Sequence, residues 1–530
     1  MYFLGQASTY KFKDVLRHTF AFGKKDDLSE LRAYLAAHYG TTKDRVAVYH
    51  TGRTALAVAL DKLVPADTEV IVTSLTCYAV YQAVSEVSCI PVFADVDKET
   101  MHFGPQELLN TLKMYPNAGA VIVQNNLGHP VDMKGIEKIC KKYGLVLIED
   151  LAHSAGVHYR DGREAGTVGD AAVLSFGKGK SIDTISGGAV VFTGPDSPTV
   201  HQPTRRPRLA DRLRDRFYPL FGWEIRGLYH LGNLGRLFTS LLLKIHFIER
   251  SADADLDPID RITYWQAKLA LKQLKSIPRA GRRPIRDYYY VEDRVELLQK
   301  LESAGYVFDD IWYNCPVSPI RYYARVNFPE EECPVAVWVA KHVINVPTWY
   351  SKKALSPALN LIERYEVKAE DTIPTPAKHP AKPAASAVVK KPVRTTKPAV
   401  KPKAESLPKT NLDFALAELG EQPVEETEYT YPSEEFEDEP PTEKDVYIVE
   451  ERDELGGTIN YSELVYDKFD HTHLNRTNII DKNINSDGTY VTLTKEERKP
   501  KKAPIKNNLP KIRQYKKPEK GPETTEGKVW

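Results

Sequence analysis

The sequence predicts an α/β protein built on a mostly parallel sheet, and three observations carry that reading. Up to about residue 195, short apolar runs alternate with amphipathic stretches of helical period, the pattern that a sheet covered by crossover helices requires. Two of the runs, Val146-Leu147-Ile148 and Ala172-Val173-Leu174, are apolar without alternation, as strands buried on both faces are. The apolar content of 42% is concentrated before about residue 365, which leaves enough for a large core there and little for the rest.

Taken in order, Val46-Ala47-Val48 reads as a strand, and His50-Thr51-Gly52-Arg53-Thr54-Ala55-Leu56 as a glycine turn opening an apolar-periodic helix to Leu63. Such a turn presents unpaired backbone N–H groups and a positive dipole end to an anion, although many strand-turn-helix connections look the same. Val70 to Ala79 repeats the pattern, and Pro91 to Asp97 reads as a strand end with its loop. Pro105 to Tyr115 and Met133 to Tyr143 are amphipathic helices. Right-handed crossovers should join the strands. Further on, Ile259 to Leu274 and Arg286 to Ala304 read as helices, and Tyr306 to Phe308, Tyr322 to Phe328 and Val343 to Val346 as strands.

A net charge of +1 gives no global reason to expect nucleic-acid binding. Five scattered cysteines, Cys77, Cys89, Cys140, Cys315 and Cys333, lack metal-ligand pairs and a disulfide framework. The first five residues carry no basic segment ahead of a long apolar one. A reducing, cytoplasmic setting is expected, with no metal.

Chemistry enters where the buried strands end. V-L-I-E-D places Asp150 after one apolar run, and A-V-L-S-F-G-K-G-K places Ser175 and Lys180 after the next. Ligands of open α/β sheets bind at those carboxyl ends. The order suits pyridoxal 5′-phosphate, which needs a carboxylate to keep its pyridine nitrogen protonated, a lysine to hold its aldehyde as a Schiff base, and donors around its phosphate. Asp150 alone reads more simply as a helix N-cap, and for His153 a core histidine is the alternative to a place near the cofactor.

Lys178 competes with Lys180. The block S-F-x-x-x-K with paired glycines seven residues after the lysine selects Lys180, because Gly187-Gly188 supply the pair. Here the chain resembles the DegT/DnrJ/StrS family of nucleotide-sugar aminotransferases, from about Tyr34 to Ser351 and most strongly from Thr51 to Val191. The resemblance implies a type I aminotransferase fold: a large, mostly parallel three-layer α/β/α domain followed by a smaller C-terminal α/β domain. It makes Lys180 the Schiff-base lysine and general base, Asp150 the pyridinium partner, Ser175 a phosphate ligand, and His153 a neighbour of the cofactor's ring hydroxyl. Gly52, Arg53 and Thr54 fall on the family's phosphate turn, the local amides being a firmer expectation than the Arg53 side chain. Relatives place an aromatic ring where this chain has Cys77, with Tyr78 next to it, so that either Tyr78 or the thinner thiol covers the cofactor. In N-N-L-G-H-P-V-D, Asn125 takes a position that is histidine in relatives, and His129 is a loop residue. In the motif ahead of the small-domain helix Arg261 is kept, but Ile259 replaces the asparagine that reaches the partner subunit's cofactor phosphate.

The family therefore implies nucleotide-sugar and amino-acid substrates, glutamate as the usual donor, a homodimer and a place in polysaccharide or cell-envelope glycan synthesis. Four segments are expected: 1–200 as the large domain, 201–255 as an inserted basic and aromatic arm, 256–365 as the small domain, and 366–530 as a disordered charged tail. The stretch Arg205 to Arg250 has three readings, an interfacial membrane-contacting element, a packed dimer arm and a lid over the substrate cleft. Its longest apolar run is too short to span a bilayer. The tail alternates a Pro/Ala/Lys tract at 378–409, an acidic block at 418–454 and a basic block at 495–520, and cannot bury enough apolar surface to offset chain entropy. Val446 to Val449 and Thr489 to Leu493 are its strand-like islands. A different class of function, a non-catalytic aminotransferase-like module with a partner-recruiting tail, is separated from the enzyme by the presence of a bound-cofactor absorption band.

Overall fold

The computed structural model describes residues 2–4, 10–97, 99–231, 234–245, 248, 259–278, 280–308, 311–367, 446–452 and 458–465. Strand β1 (Tyr2–Phe3) and helices α1 (Phe12–Thr19) and α2 (Lys25–His38) come first. Then follow β2 (Val46–Tyr49), α3 (Gly52–Leu63), β3 (Glu69–Thr73), β4 (Thr76–Cys77), α4 (Tyr78–Glu86) and β5 (Ile90–Ala94). The next group is α5 (Pro105–Met114), β6 (Ala120–Gln124), α6 (Met133–Tyr143), β7 (Val146–Asp150), β8 (Ala171–Ser175) and β9 (Gly188–Phe192).

Seven of these strands form one sheet in the order β2-β9-β8-β7-β6-β3-β5. From β8 to β5 every neighbouring pair is parallel, and β9 alone runs antiparallel to both of its neighbours. The alternation hidden in the apolar runs is between two cores. Val70 and Val72 face one cluster with Leu56 and Leu60 of α3 and Val84 of α4. Ile71, between them, faces the other, with Leu31 of α2, Leu108 of α5 and Ile136 of α6. A three-layer α/β/α arrangement results, as expected. Its helices start and stop on local signals. Asp132 caps α6 by accepting from the Gly135 N–H, and Gly144 ends it at φ +68°, the left-handed conformation that a side chain would strain.

After the sheet come α7 (Leu209–Tyr229) and α8 (Leu234–Lys244), which occupy the basic and aromatic stretch. Helix α9 (Tyr264–Lys275) starts later than the apolar pattern from Ile259 suggests. The reason is a capping box, in which Thr263 caps the helix and Gln266, three residues on, reaches back to the Thr263 N–H.

Two expectations farther on are corrected. Arg286 to Ala304 is not one helix: Arg286–Tyr290 is strand β10, and only Arg294–Ser303 forms α10, capped by Asp293. Three consecutive tyrosines favour a pleated, half-buried surface, and β10 pairs antiparallel with β13 (Val343–Pro347). Tyr322 to Phe328 is not a strand. After β11 (Tyr306–Val307) and β12 (Val317–Ser318), Pro319 opens a short helix α11 (Ile320–Tyr323). Its aromatic residues serve ring packing, Tyr322 on Tyr78 and Tyr323 on Phe328. Helices α12 (Pro334–His342) and α13 (Lys352–Glu363) flank β13. The C-terminal part is tied back to the earlier chain by parallel pairs of β11 with β1 and β12 with β4. Two strands, β14 (Val446–Arg452) and β15 (Thr458–Val465), pair within the segment whose composition predicts a disordered tail. The Thr489 to Leu493 island lies outside the described residues.

The paired glycines follow from a close approach. A Cβ on Gly188 would sit 2.4 Å from the Gly52 Cα, and one on Gly52 would sit 2.9 Å from the Ser175 Cβ. Gly187, at φ +132°, is also strained for any side chain. Gly188→Ala is therefore expected to cost about 2 kcal/mol or more of unfolding free energy, since backbone and not a flexible side chain must give way, measured by denaturant unfolding.

Candidate active site

The ends of β7 and β8 and the start of α3 converge. Asp150, the last residue of β7, is buried; its Oδ2 accepts from Gln124 Nε2 at 2.9 Å and its Oδ1 from the Ala152 N–H at 2.9 Å. Gln124 ends β6 directly beside Asp150 in the sheet register, and its own Oε1 accepts from Thr76 Oγ1 at 2.5 Å. Burial pushes the Asp150 carboxyl above the usual carboxylate range, against the Ala152 N–H, the Lys180 charge and Gln124.

Lys180 Nζ lies 2.9 Å from His153 Nε2 and over the Trp312 ring, 4.8 Å from its centroid. Lys178 turns elsewhere, with its ammonium 4.2 Å from the Tyr218 ring centroid on α7, so of the two lysines Lys180 faces the strand ends. His153 is stacked on Trp312 with centroids 4.5 Å apart. Burial, then the charges of Lys180 and Arg286, push its imidazole well below the ordinary range, so it is neutral. Its Nδ1 accepts from the Leu127 N–H at 3.1 Å.

The turn before α3 matches the anion-binding geometry. Thr51 caps the helix by accepting from the Thr54 N–H at 3.2 Å, and Thr51 Oγ1 and Thr54 Oγ1 are 2.9 Å apart. Thr54 thus has its amide and hydroxyl engaged within the cap. Arg53 is 9% exposed, which excludes a solvated surface charge. Ser175 is held against Gly52 and directly opposite Gly188. Behind this cradle His50 meets the α7 carboxylate Asp215 at 3.7 Å, and Asp215 also accepts from Ser186 Oγ and Gln266 Nε2.

Cys77 and Tyr78 separate. The Tyr78 ring is stacked on Tyr322, centroids 4.7 Å apart and 17° between planes. Cys77 instead neighbours the buried hydroxyl of Tyr313, whose pKa is driven well up by burial and then by the charges of Cys77 and Asp150. Tyr313 donates to Asn126 Oδ1 at 3.0 Å. Asn125 does loop work, accepting from the Val131 N–H and donating to Ser154. His129 donates to the Arg286 carbonyl. Ile259 is half exposed.

Gln124, Trp312 and Tyr313 escaped the sequence reading. Gln124 shows the same signal as Asp150, a polar residue closing a doubly buried strand. Trp312 and Tyr313 sit between elements and carry none. Tyr313 and Leu127, both touching His153, adopt φ +67° and +56°, a conformation unfavourable for non-glycine residues and characteristic of sites whose surroundings dictate geometry.

Gln124→Leu removes a donor from a buried carboxyl. Because the folded pKa of Asp150 is raised, its ionised form weighs against folding, a penalty absent below the unfolded pKa and growing as pH rises through the folded value. The substitution is therefore expected to cost about 1–3 kcal/mol, and the loss should grow with pH when unfolding is measured across the acid to neutral range.

The description "DegT/DnrJ/EryC1/StrS aminotransferase family" belongs to the family whose sequence profile matches residues 5–206. An uncharacterized protein of Methanocaldococcus jannaschii is 38% identical over 122 residues, and the match spans about a third of that protein, 31%, and 23% of this chain. The "Erythromycin biosynthesis sensory transduction protein EryC1" of Saccharopolyspora erythraea is 30% identical over 291 residues, covering 53% of this chain and 73% of that protein. The structure titled "Putative sugar aminotransferase Spr1654 from Streptococcus pneumoniae, PMP-form" superposes with a TM-score of 0.47 at 17% identity, over 67% of this chain and 95% of that one. By the profile match over the cradle, the strand ends and the lysine, and by the extent of the likeness to EryC1, this chain belongs to the DegT/DnrJ/EryC1/StrS aminotransferase family.

Proposed function

We propose that this chain is a pyridoxal 5′-phosphate-dependent aminotransferase that moves an amino group, with glutamate as donor, onto a keto sugar carried by a nucleotide, in the assembly of a glycan. The observation that carries the reading is Lys180 beside a neutral His153 at the ends of the strands that present Asp150 and Ser175. The residues fit the cofactor by their chemistry. Trp312 Nε1 is buried beside Lys180 without a hydrogen-bond partner among the described residues, a donor waiting for an acceptor. The buried Asp150 carboxyl, whose ionised form burial disfavours, calls for a cationic N–H partner.

In this reading Asp150 would hold the ring nitrogen, His153 would lie beside the ring hydroxyl, and Ser175 with the Gly52 and Arg53 amides would hold the phosphate. When bound, the cofactor supplies the electron sink for breaking bonds at the carbon that carries nitrogen. The protein supplies the rest. Lys180 Nζ, in its neutral amine form, would take up and return the proton at that carbon. The buried Trp312 and Tyr313 wall the side of the site around His153. With Tyr78 held by Tyr322, the thiol of Cys77 is the side chain left to cover the ring.

Borohydride reduction of the purified protein with pyridoxal phosphate should fix the cofactor on the peptide holding Lys180, and Lys180→Ala should abolish turnover without unfolding the chain. Incubation with glutamate and a panel of nucleotide keto sugars, read by mass, should give a product with an amine in place of the oxo group. Absence of cofactor absorption would favour the non-catalytic module. A homodimer is the proposed assembly, two-fold pairing being the commonest. Light scattering should return twice the chain mass, and an active, cofactor-loaded monomer would reject it.

A further inference from the structure

Helices α1, α7 and α8 share a surface that the sheet does not use. The inner stripe of α7, Asp215, Tyr218, Ile225 and Tyr229, is buried. The outer side is different. Of the seventeen large apolar side chains exposed among the described residues, twelve lie on these three helices, the turns after α1 and α7, and the residue that follows α8, so exposure is concentrated rather than scattered. Along α8 and the residue that follows it, the exposed Leu234, Leu237, Leu241 and Ile245 repeat at intervals of three and four residues, a single stripe, and Leu237 is 65% exposed. On α1 the exposed Phe12 and Leu16 lie one turn apart, and the Phe12 ring meets Trp223 of α7 with centroids 5.5 Å apart, joining the helices into one face.

Cations border this face. Lys11, Lys13, Arg208 and Lys244 are exposed around it, while of its acids Asp14 and Asp211 are paired with Arg17 and Arg214 and Glu224 is only partly exposed. An apolar stripe with a cationic border fits a bilayer surface that carries negative charge. A second copy is disfavoured as occupant, because two-fold pairing would set cations against cations. No helix among the described residues is long and apolar enough to cross a membrane, which leaves lying on the bilayer rather than spanning it.

We propose that the α1–α7–α8 face docks this protein on an anionic lipid bilayer, with Trp223 and the α8 stripe entering the acyl boundary. Docking then acts on the helix whose inner side touches the phosphate cradle, since Asp215 reaches His50 and Tyr218 covers Lys178. The surface does not depend on the aminotransferase reading.

The test is sedimentation of the full chain with vesicles of phosphatidylcholine, alone or mixed with phosphatidylglycerol. Binding is expected to the mixed vesicles only, and Leu237→Glu with Leu241→Glu should lower the bound fraction about tenfold or more while circular dichroism is unchanged. Trp223 should also shift its emission to the blue on binding, a change that Trp223→Phe removes; this readout stands even where the double variant unfolds. The proposal is overturned by failure of the native chain to bind, by equal binding of the folded double variant, which would assign the contact to the basic tail, or by loss of a native oligomer in that variant without lipid, which would make the face a self-interface.

Discussion

The constraint on which the rest of the structure depends is the contact of bare backbones where α3 begins. Gly52, Gly188 and Ser175 approach so closely that a Cβ at either glycine would clash. A helix N-terminus brought flush against two strands leaves its first N–H groups aimed out past the sheet edge, with a positive dipole end and a hydroxyl beside them. Everything placed near it is placed by the sheet register. Ser175 stands opposite Gly188, Asp150 opposite Val173 and Gln124 opposite Asp150, so slipping any strand by one residue would turn its functional side chain into a helix layer.

Burial then sets the protonation of the groups so placed. Asp150 is pushed up and His153 down, and each is held by a neighbour with a specific hydrogen bond rather than by an ion pair alone. The two shifts are in opposite directions for one reason, since a low dielectric disfavours whichever form is charged. Two left-handed non-glycine residues flank His153. Their strain is of order 1–3 kcal/mol each, and the packing of Trp312 and Asn126 around them shows where it is offset.

Much of this was legible in the sequence, and the boundary is physical. Doubly buried strands advertise themselves by unbroken apolar runs, and polar residues closing them stand out, which is why Asp150 and Ser175 could be read, whereas Lys180, past the end of β8, was separated from Lys178 by the family block around it. Gln124 offered the same signal beside an equally apolar strand. Elements held by long-range pairing were harder. Arg286 to Tyr290 has enough helical period to pass as the start of α10, and only its partner strand, 53 or more residues later, makes it β10. The same holds for Tyr313, whose partners are Asn126 and the surroundings of Cys77, far back in the chain. Tyr78 is the opposite case. Its aromatic character was plain, but Tyr322 decides where the ring goes.

The inserted helices are more than an appendage, because α7 replaces solvent with protein behind the cradle. Asp215 is buried, and its carboxylate accepts from Ser186 and Gln266 while lying within ion-pair distance of His50, the residue that leads into the glycine turn. A carboxylate so placed is tolerable only because several donors converge on it, and removing α7 would leave those donors without it. Tyr218, one turn along, takes the Lys178 ammonium against its ring and so directs the neighbouring loop toward presenting Lys180. The sequence profile shared with relatives ends at residue 206, just before this helix. The same helix therefore carries two chemistries on opposite sides, polar and buried toward the reaction site, apolar and exposed away from it. Pro219 lies inside α7 between Asp215 and Trp223 and leaves one turn of the helix without a backbone donor, so the two faces are joined through a helix that is weakest midway between them.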